Sequence, residues 1–287
     1  MTSGIGNVEI DPRLMTPAQV RGRIRNGQLP VPTAGFSDGY MQGNLAILPA
    51  AHAGDFMRYC LLNPKSCPVL AIGQPGNPSL PALGDIDIRT DIAFYRVFRN
   101  GVAEEETEDL GKLWRDDLVS FVLGCSFSFE SALTRAGIVV PHIAAERNAP
   151  MYITNIQTQE AGPFGGPLVV SMRAFSPEDA IQAIVLSERY PLAHGAPVHI
   201  GDPGRIGIGD IHRPDFGDAP LIGEGQVPVF WACGVTPQMA IGTARPDLAI
   251  THMPGFMLVT DMLAENASPG QSLRHPGWPA TSHERIS

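Results

Sequence analysis

Apolar and polar positions along this chain follow two periods, and each change of period marks an element. Short apolar runs at 45–48, 68–72, 94–98, 118–123, 151–154, 168–173, 197–201, 227–233, 249–252 and 256–261 predict strands. Helical spacing takes over between them. Thr16-Pro-Ala-Gln19 is a capping box that opens a helix to Arg25, stopped at Gly27, with Arg21, Arg23 and Arg25 spread round it as a solvated face. Residues 50–62 predict a helix with Phe56, Tyr59 and Cys60 on one side. Ser176-Pro-Glu-Asp179 opens another, its spacing set by Ile181, Ile184 and Val185. The acidic run 104–109 predicts an exposed turn.

Two strand-to-helix junctions share one form. In the first, the strand 118–123 meets Gly124-Cys125, and Ser126 or Ser128 caps a helix that runs to Gly137. In the second, the strand 227–233 ends on Cys233-Gly234, with Thr236 as N-cap and Pro237 at the first helical position. Such elbows gather free backbone N–H groups at a helix start, which attract anions. If the strands run parallel, both elbows and His252 collect beyond their carboxyl ends, where α/β sheets bind ligands. The pattern predicts an α/β fold, a mixed sheet with flanking helices, plus a smaller α+β domain. Residues 14–137 and 212–264 form the main domain, 138–211 the inserted one, and 1–13 and 265–287 an arm and a tail.

Composition narrows the function. The chain has 287 residues, 44% hydrophobic and 17% charged, with 31 glycines and 27 prolines: a globular, turn-rich protein. A net charge of −9 argues against nucleic acid and anionic membranes as partners. No apolar run is long enough to span a membrane, and the N-terminal residues lack a secretory core, so cytoplasm is the expected location. The cysteines, 60, 67, 125 and 233, match no zinc spacing and read as reduced thiols. A homodimer is compatible with these features.

Several stretches carry candidate chemistry. Asp85-Ile-Asp-Ile-Arg-Thr-Asp91 alternates, so an extended backbone places Arg89 beside flanking carboxylates, either as a solvated strand face with local ion pairs or with its fork held to meet a substrate carboxylate. His194 and His199 are separated by a turn and read as hydrogen-bonding residues before metal ligands. Cys125 at a helix start can have a lowered thiol pKa, although no basic neighbour in sequence supports it.

Six of these stretches together resemble one family. Pro32-Thr-Ala-Gly35, Asp85 to Asp91, Gly124-Cys-Ser-Phe-Ser-Phe-Glu130, His194-Gly-Ala-Pro-Val-His-Ile-Gly-Asp202, Pro228-Val-Phe-Trp-Ala-Cys-Gly-Val-Thr-Pro-Gln238 and Ile250-Thr-His-Met-Pro-Gly255 occur in this order in the D-glutamate cyclase family. The resemblance runs from about Met15 to Met262 and departs at Phe36-Ser-Asp-Gly-Tyr40, where Ala-Pro-Gly-Tyr is expected. It implies a two-domain α/β lyase that removes water, converting D-glutamate to 5-oxo-D-proline.

That chemistry needs a base for the α-amine, an acid or oxyanion clamp at the γ-carboxyl, and a partner for the α-carboxylate. The expected roles are Arg89 on the α-carboxylate, the elbow groups of Cys125, Ser126, Ser128 and Thr236 on the γ-carboxylate, Glu130 or His252 as base, and His199 as acid. No cofactor is required; a divalent metal held by His194, His199, Asp202 or Asp261 is the lesser version. The rival readings are a non-catalytic binding protein for a small acidic metabolite and a hydratase of another carboxylic acid.

Overall fold

The computed structural model describes residues 11–266. Apart from 11–13 and 265–266, the expected arm and tail lie outside the described residues. The capping box at Thr16 and Gln19 forms as expected and starts α1, Pro17–Arg25. Two of its arginines do more than face solvent. Arg21 is buried and bonds Asp261 and the Val259 carbonyl, and Arg25 grips the buried Asp91. These pairs fasten α1 to the last strand among the described residues and to the loop around Asp91.

With α1, the described residues form eleven strands and six α-helices, giving an α/β fold. The first sheet has seven strands: β1 (Tyr40–Pro49), β2 (Val69–Ile72), β3 (Tyr95–Arg99), β4 (Val102–Thr107), β5 (Leu118–Gly124), β10 (Ala249–His252) and β11 (Leu258–Leu263). Its order is β2-β5-β1-β10-β3-β4, with β11 also on β1. The second sheet orders β6 (Met151–Gln157), β7 (Pro167–Phe175), β9 (Val227–Ala232) and β8 (His199–Ile200) as β6-β7-β9-β8. It thus takes in β9, beyond the block 138–211. The strand pairs in both sheets are antiparallel, not mixed.

Period-two alternation places the core. On β1, Leu45 and Ile47 join the cluster shared with the second sheet, while Ala46 and Leu48 face α2 (Ala50–Leu62) through Phe56 and Tyr59. The central strands β1 and β5 are buried on both faces, which is why residues 45–48 and 118–123 read as largely apolar runs. Helices α3 (Phe127–Arg135) and α5 (Pro177–Glu188) fill the space between the sheets, with Phe129, Leu133, Ala180 and Ala183 packed against Val229 and Trp231. α4 (Pro141–Ala144) is a single turn, and α6 (Val235–Ala244) packs against β7.

Three local expectations change. The acidic run is an edge strand, β4, paired with β3 through Glu105 and Glu106; its charges face water and discourage further pairing. Residues 85–91 are turns, not an extended strand, because Asp91 accepts from the Asp87 N–H and closes the loop. On α5 the buried face is Ala180, Ala183 and Ser187, leaving Ile181 65% and Val185 55% exposed. Small residues there let the helix approach closely enough for Ser187 Oγ to accept from Trp231 Nε1.

Candidate active site

Both elbows open onto one pocket, though their strands belong to different sheets. Cys125 and Ser126 line it from the first elbow; Cys233, Gly234 and Val235 line it from the second. Its empty space, counting the solvent it opens to, is about 440 Å³. Close packing forms the junction. A Cβ on Gly124 would lie 1.6 Å from the Leu192 carbonyl oxygen, and one on Gly234 would lie 2.1 Å from the Asn44 amide nitrogen. Asn44, on β1, joins the elbows: its Nδ2 donates to the Gly124 carbonyl at 2.8 Å, and its Oδ1 lies 3.1 Å from His252 Nε2.

Neither elbow helix has a side-chain cap. Ser126 occupies the N-cap position of α3, but its hydroxyl accepts instead from Arg173 Nη2 at 2.9 Å. Helix α6 starts at Val235, and Thr236 lies within its first turn, not at its cap. The Thr236 hydroxyl accepts from the Val169 N–H and donates to the Val169 carbonyl, pegging α6 to β7. Ser128 likewise accepts from the Gln42 N–H and ties α3 to β1. Thr236 and Ser128 are therefore pegs and do not line the pocket. The far end of α3 matches expectation: Gly137 takes φ 84°, with Ile138 N–H bonded to the Leu133 carbonyl.

Arg173 is the centre of the site's electrostatics. It lies on β7, where residues 169, 171, 173 and 175 share the inner face. Its fork donates to Ser171 Oγ at 2.6 Å, to Ser126 Oγ, and to Glu130 Oε1 through Nε at 3.0 Å and through Nη2. The aromatic faces of Phe129 and Trp231 lie 5.6 and 5.4 Å from its guanidinium carbon. Ser126 and Ser171 both line the pocket. Because each accepts from Arg173, each keeps its own hydroxyl hydrogen free to donate inward.

Glu130 does not line the pocket. It is buried behind Arg173, with His142 Nε2 3.2 Å from its Oε1. Burial pushes its carboxyl upward, but His142 and Arg173 outweigh burial and hold it down at about 2. A carboxylate so held is a counter-ion, a poor proton acceptor. Arg89 is also displaced from its expected role: Asp87 takes its fork through Nε at 2.9 Å and Nη2 at 2.6 Å, and it is not on the pocket wall. His199 lies on β8 with Nε2 2.7 Å from the Asp202 carbonyl, also off the wall.

His252 and Cys125 both line the pocket. His252 lines the pocket with Nδ1 2.7 Å from the Met253 carbonyl and the Gln238 amide 3.4 Å from Nε2. Burial lowers its pKa to about 4, so the ring is neutral at pH 7. Burial raises the Cys125 thiol to about 12. Among the described residues no group of three or more His, Cys, Asp and Glu is placed to hold a metal. His194 Nδ1 is engaged by the Lys65 carbonyl and Asp261 by Arg21.

The sequence pattern of the D-glutamate cyclase family matches residues 119–261, which include both elbows, Ser171, Arg173 and His252. A Bordetella pertussis protein named "Putative hydro-lyase" is 58% identical over 246 residues, 85% of this chain and 89% of that protein. The chain belongs to the D-glutamate cyclase family. Relatives with the same hydro-lyase name in Verminephrobacter eiseniae and Bradyrhizobium diazoefficiens are 58% and 56% identical, each over 85% of this chain and 90% of its own length. A nitrogen repressor-like protein of Methanococcus jannaschii aligns over 79% of this chain and 87% of its own at 10% identity, with a TM-score of 0.33, too low to bear on fold or function.

Within this D-glutamate cyclase family member, sequence reasoning passed over Arg173, Ser171, Asn44 and Cys233 as site residues. The signal for the first two is in the strand 168–173: Ser171 and Arg173, two apart, are polar positions on one face of an otherwise apolar run.

Proposed function

We propose that this chain is a hydro-lyase that cyclises D-glutamate to 5-oxo-D-proline with release of water. The observation that carries the reading is the pair of hydroxyls, Ser126 and Ser171, held by one buried arginine and facing a pocket that two uncapped helix starts also border. That is a carboxylate-binding wall: donors already oriented, backed by a positive charge whose own counter-ion, Glu130, lies behind it. A substrate with two carboxylates and one amine suits it, one carboxylate on the hydroxyls and the other toward the positive ends of the two helices. Lactam formation moves no electrons to an outside acceptor, so side chains and backbone dipoles supply all that the proposal uses.

The test is incubation of the purified protein with D-glutamate and, separately, L-glutamate, followed by chiral mass spectrometry. The expected result is a D-configured product lighter by one water, with Arg173→Lys losing at least about tenfold in kcat/KM, because lysine cannot hold both hydroxyls and Glu130 at once. Thermal stabilisation by D-glutamate without product would indicate a binding protein. Water loss or gain on another acid alone would indicate a different hydro-lyase. Either outcome overturns the proposal.

A further inference from the structure

Cyclising glutamate moves two protons from nitrogen to one departing oxygen, so the pocket needs a group that takes a proton and a group that gives one. Three titratable side chains line it: Cys125, Cys233 and His252. The ring nitrogens of His252 already face the Met253 carbonyl and Asn44 Oδ1. Glu130 lies behind Arg173 and off the wall. The two thiols remain, and they occupy equivalent places: each lies at the end of its strand, just before an uncapped helix. They are 6% and 9% exposed, and neither is in a disulfide.

We propose that Cys125 and Cys233 are the catalytic acid–base pair of this pocket, holding one proton between them while substrate is bound. The inference rests on the cyclisation reading above. Burial raises both thiols, Cys125 to about 12, so the empty pocket holds them protonated. Opposing burial, the Phe127 N–H acts on the Cys125 sulfur, the Val235 and Gly234 N–H groups act on Cys233, and Arg173 acts on both. A substrate ammonium between the sulfurs adds the positive charge that lets one thiol release its proton to solvent.

The steps then balance. The thiolate takes a proton from the ammonium, and the freed amine attacks the γ-carbon, forming the C–N bond. The second thiol protonates a γ-carboxylate oxygen and becomes the thiolate. That thiolate takes the next proton from nitrogen, while the first thiol protonates the departing oxygen. The C–O bond breaks, water leaves, and the pair again holds one thiolate and one thiol.

Two measurements on the full chain test this. Turnover of D-glutamate by Cys125→Ser and by Cys233→Ser should fall about 10²–10⁴-fold each, with the melting temperature and the D-glutamate-induced thermal shift retained. Peptide-resolved alkylation by iodoacetamide should be slow, as for protonated thiols, but through access from the pocket should label Cys125 and Cys233 ahead of Cys60 and Cys67, and 5-oxo-D-proline should slow the labelling of the first two only. A folded serine variant with turnover within about tenfold of the parent overturns the thiol pair and leaves the cyclisation standing. If the parent protein itself forms no product, the cyclisation reading fails, and alkylation decides the thiols alone: no preference for Cys125 and Cys233 removes them.

Discussion

At the scale of single residues, the site depends on what a buried charge requires. Arg173 is almost wholly buried, and such a guanidinium is tolerable only with a counter-charge and filled hydrogen bonds. Glu130 supplies the charge, and Ser126 and Ser171 each take a further N–H of the fork. Glu130→Gln therefore leaves an unpaired buried cation, and chemical denaturation should show a loss of about 3–5 kcal/mol. A glutamine variant of parental stability with turnover abolished would instead restore Glu130 as the base. Arg89→Lys should leave affinity for D-glutamate unchanged, because Asp87 already occupies that fork in a half-exposed pair worth at most about 1 kcal/mol; isothermal titration checks it. Cys125 and His252 were legible as pocket residues because a motif marks a place along the chain. Arg89 and Glu130 lie off the pocket wall, paired with Asp87 and Arg173, because charge in a sequence does not reveal which charges neutralise each other in space.

At the scale of elements, the elbows were the most legible feature. Strand, glycine–cysteine pair and helix are written contiguously, and β5 with α3 and β9 with α6 form nearly where the pattern puts them. Their caps were not legible. Ser126 and Thr236 have the right identity and neighbourhood for capping, but tertiary partners, Arg173 and Val169, take their hydroxyls. The same competition exposes Ile181 and Val185 on α5, where close approach to Trp231 favours the small face. Asn44 is the piece that couples the elbows, and Gly234 leaves room for it. Gly234→Ala should displace the Asn44 amide, leaving the Gly124 carbonyl unpaired at a cost of about 1–3 kcal/mol, and turnover should drop at least tenfold. Parental kinetics and stability in this variant would show that the elbows do not depend on Asn44.

At the scale of the whole molecule, the two antiparallel sheets share one core, and the pocket lies where their elbows meet. The α/β class could be read from alternating strands and helices, but the pairing could not, since strand direction is set by contacts far apart in sequence. That global burial also fixes a pH response. His194 and His252 are held down to about 4 by burial, against an ordinary 6.5. Between those values the unfolded chain binds protons that the folded chain refuses, so stability falls as pH drops from about 6.5 to about 4. Glu130, held at about 2 against 4.5, adds a second loss as pH falls from about 4.5 toward 2. Urea midpoints should therefore decline already between pH 7 and pH 5, and a flat midpoint over that interval would contradict the burial of both imidazoles as neutral groups. The most direct test of the account is a crystal structure with 5-oxo-D-proline bound. The account predicts the ligand between the elbows, its carboxylate within hydrogen-bond reach, about 2.5–3.2 Å, of the Ser126 and Ser171 hydroxyls, and its ring beside Cys125 and Cys233. A ligand seated at Arg89 or elsewhere, with this pocket empty, would contradict it.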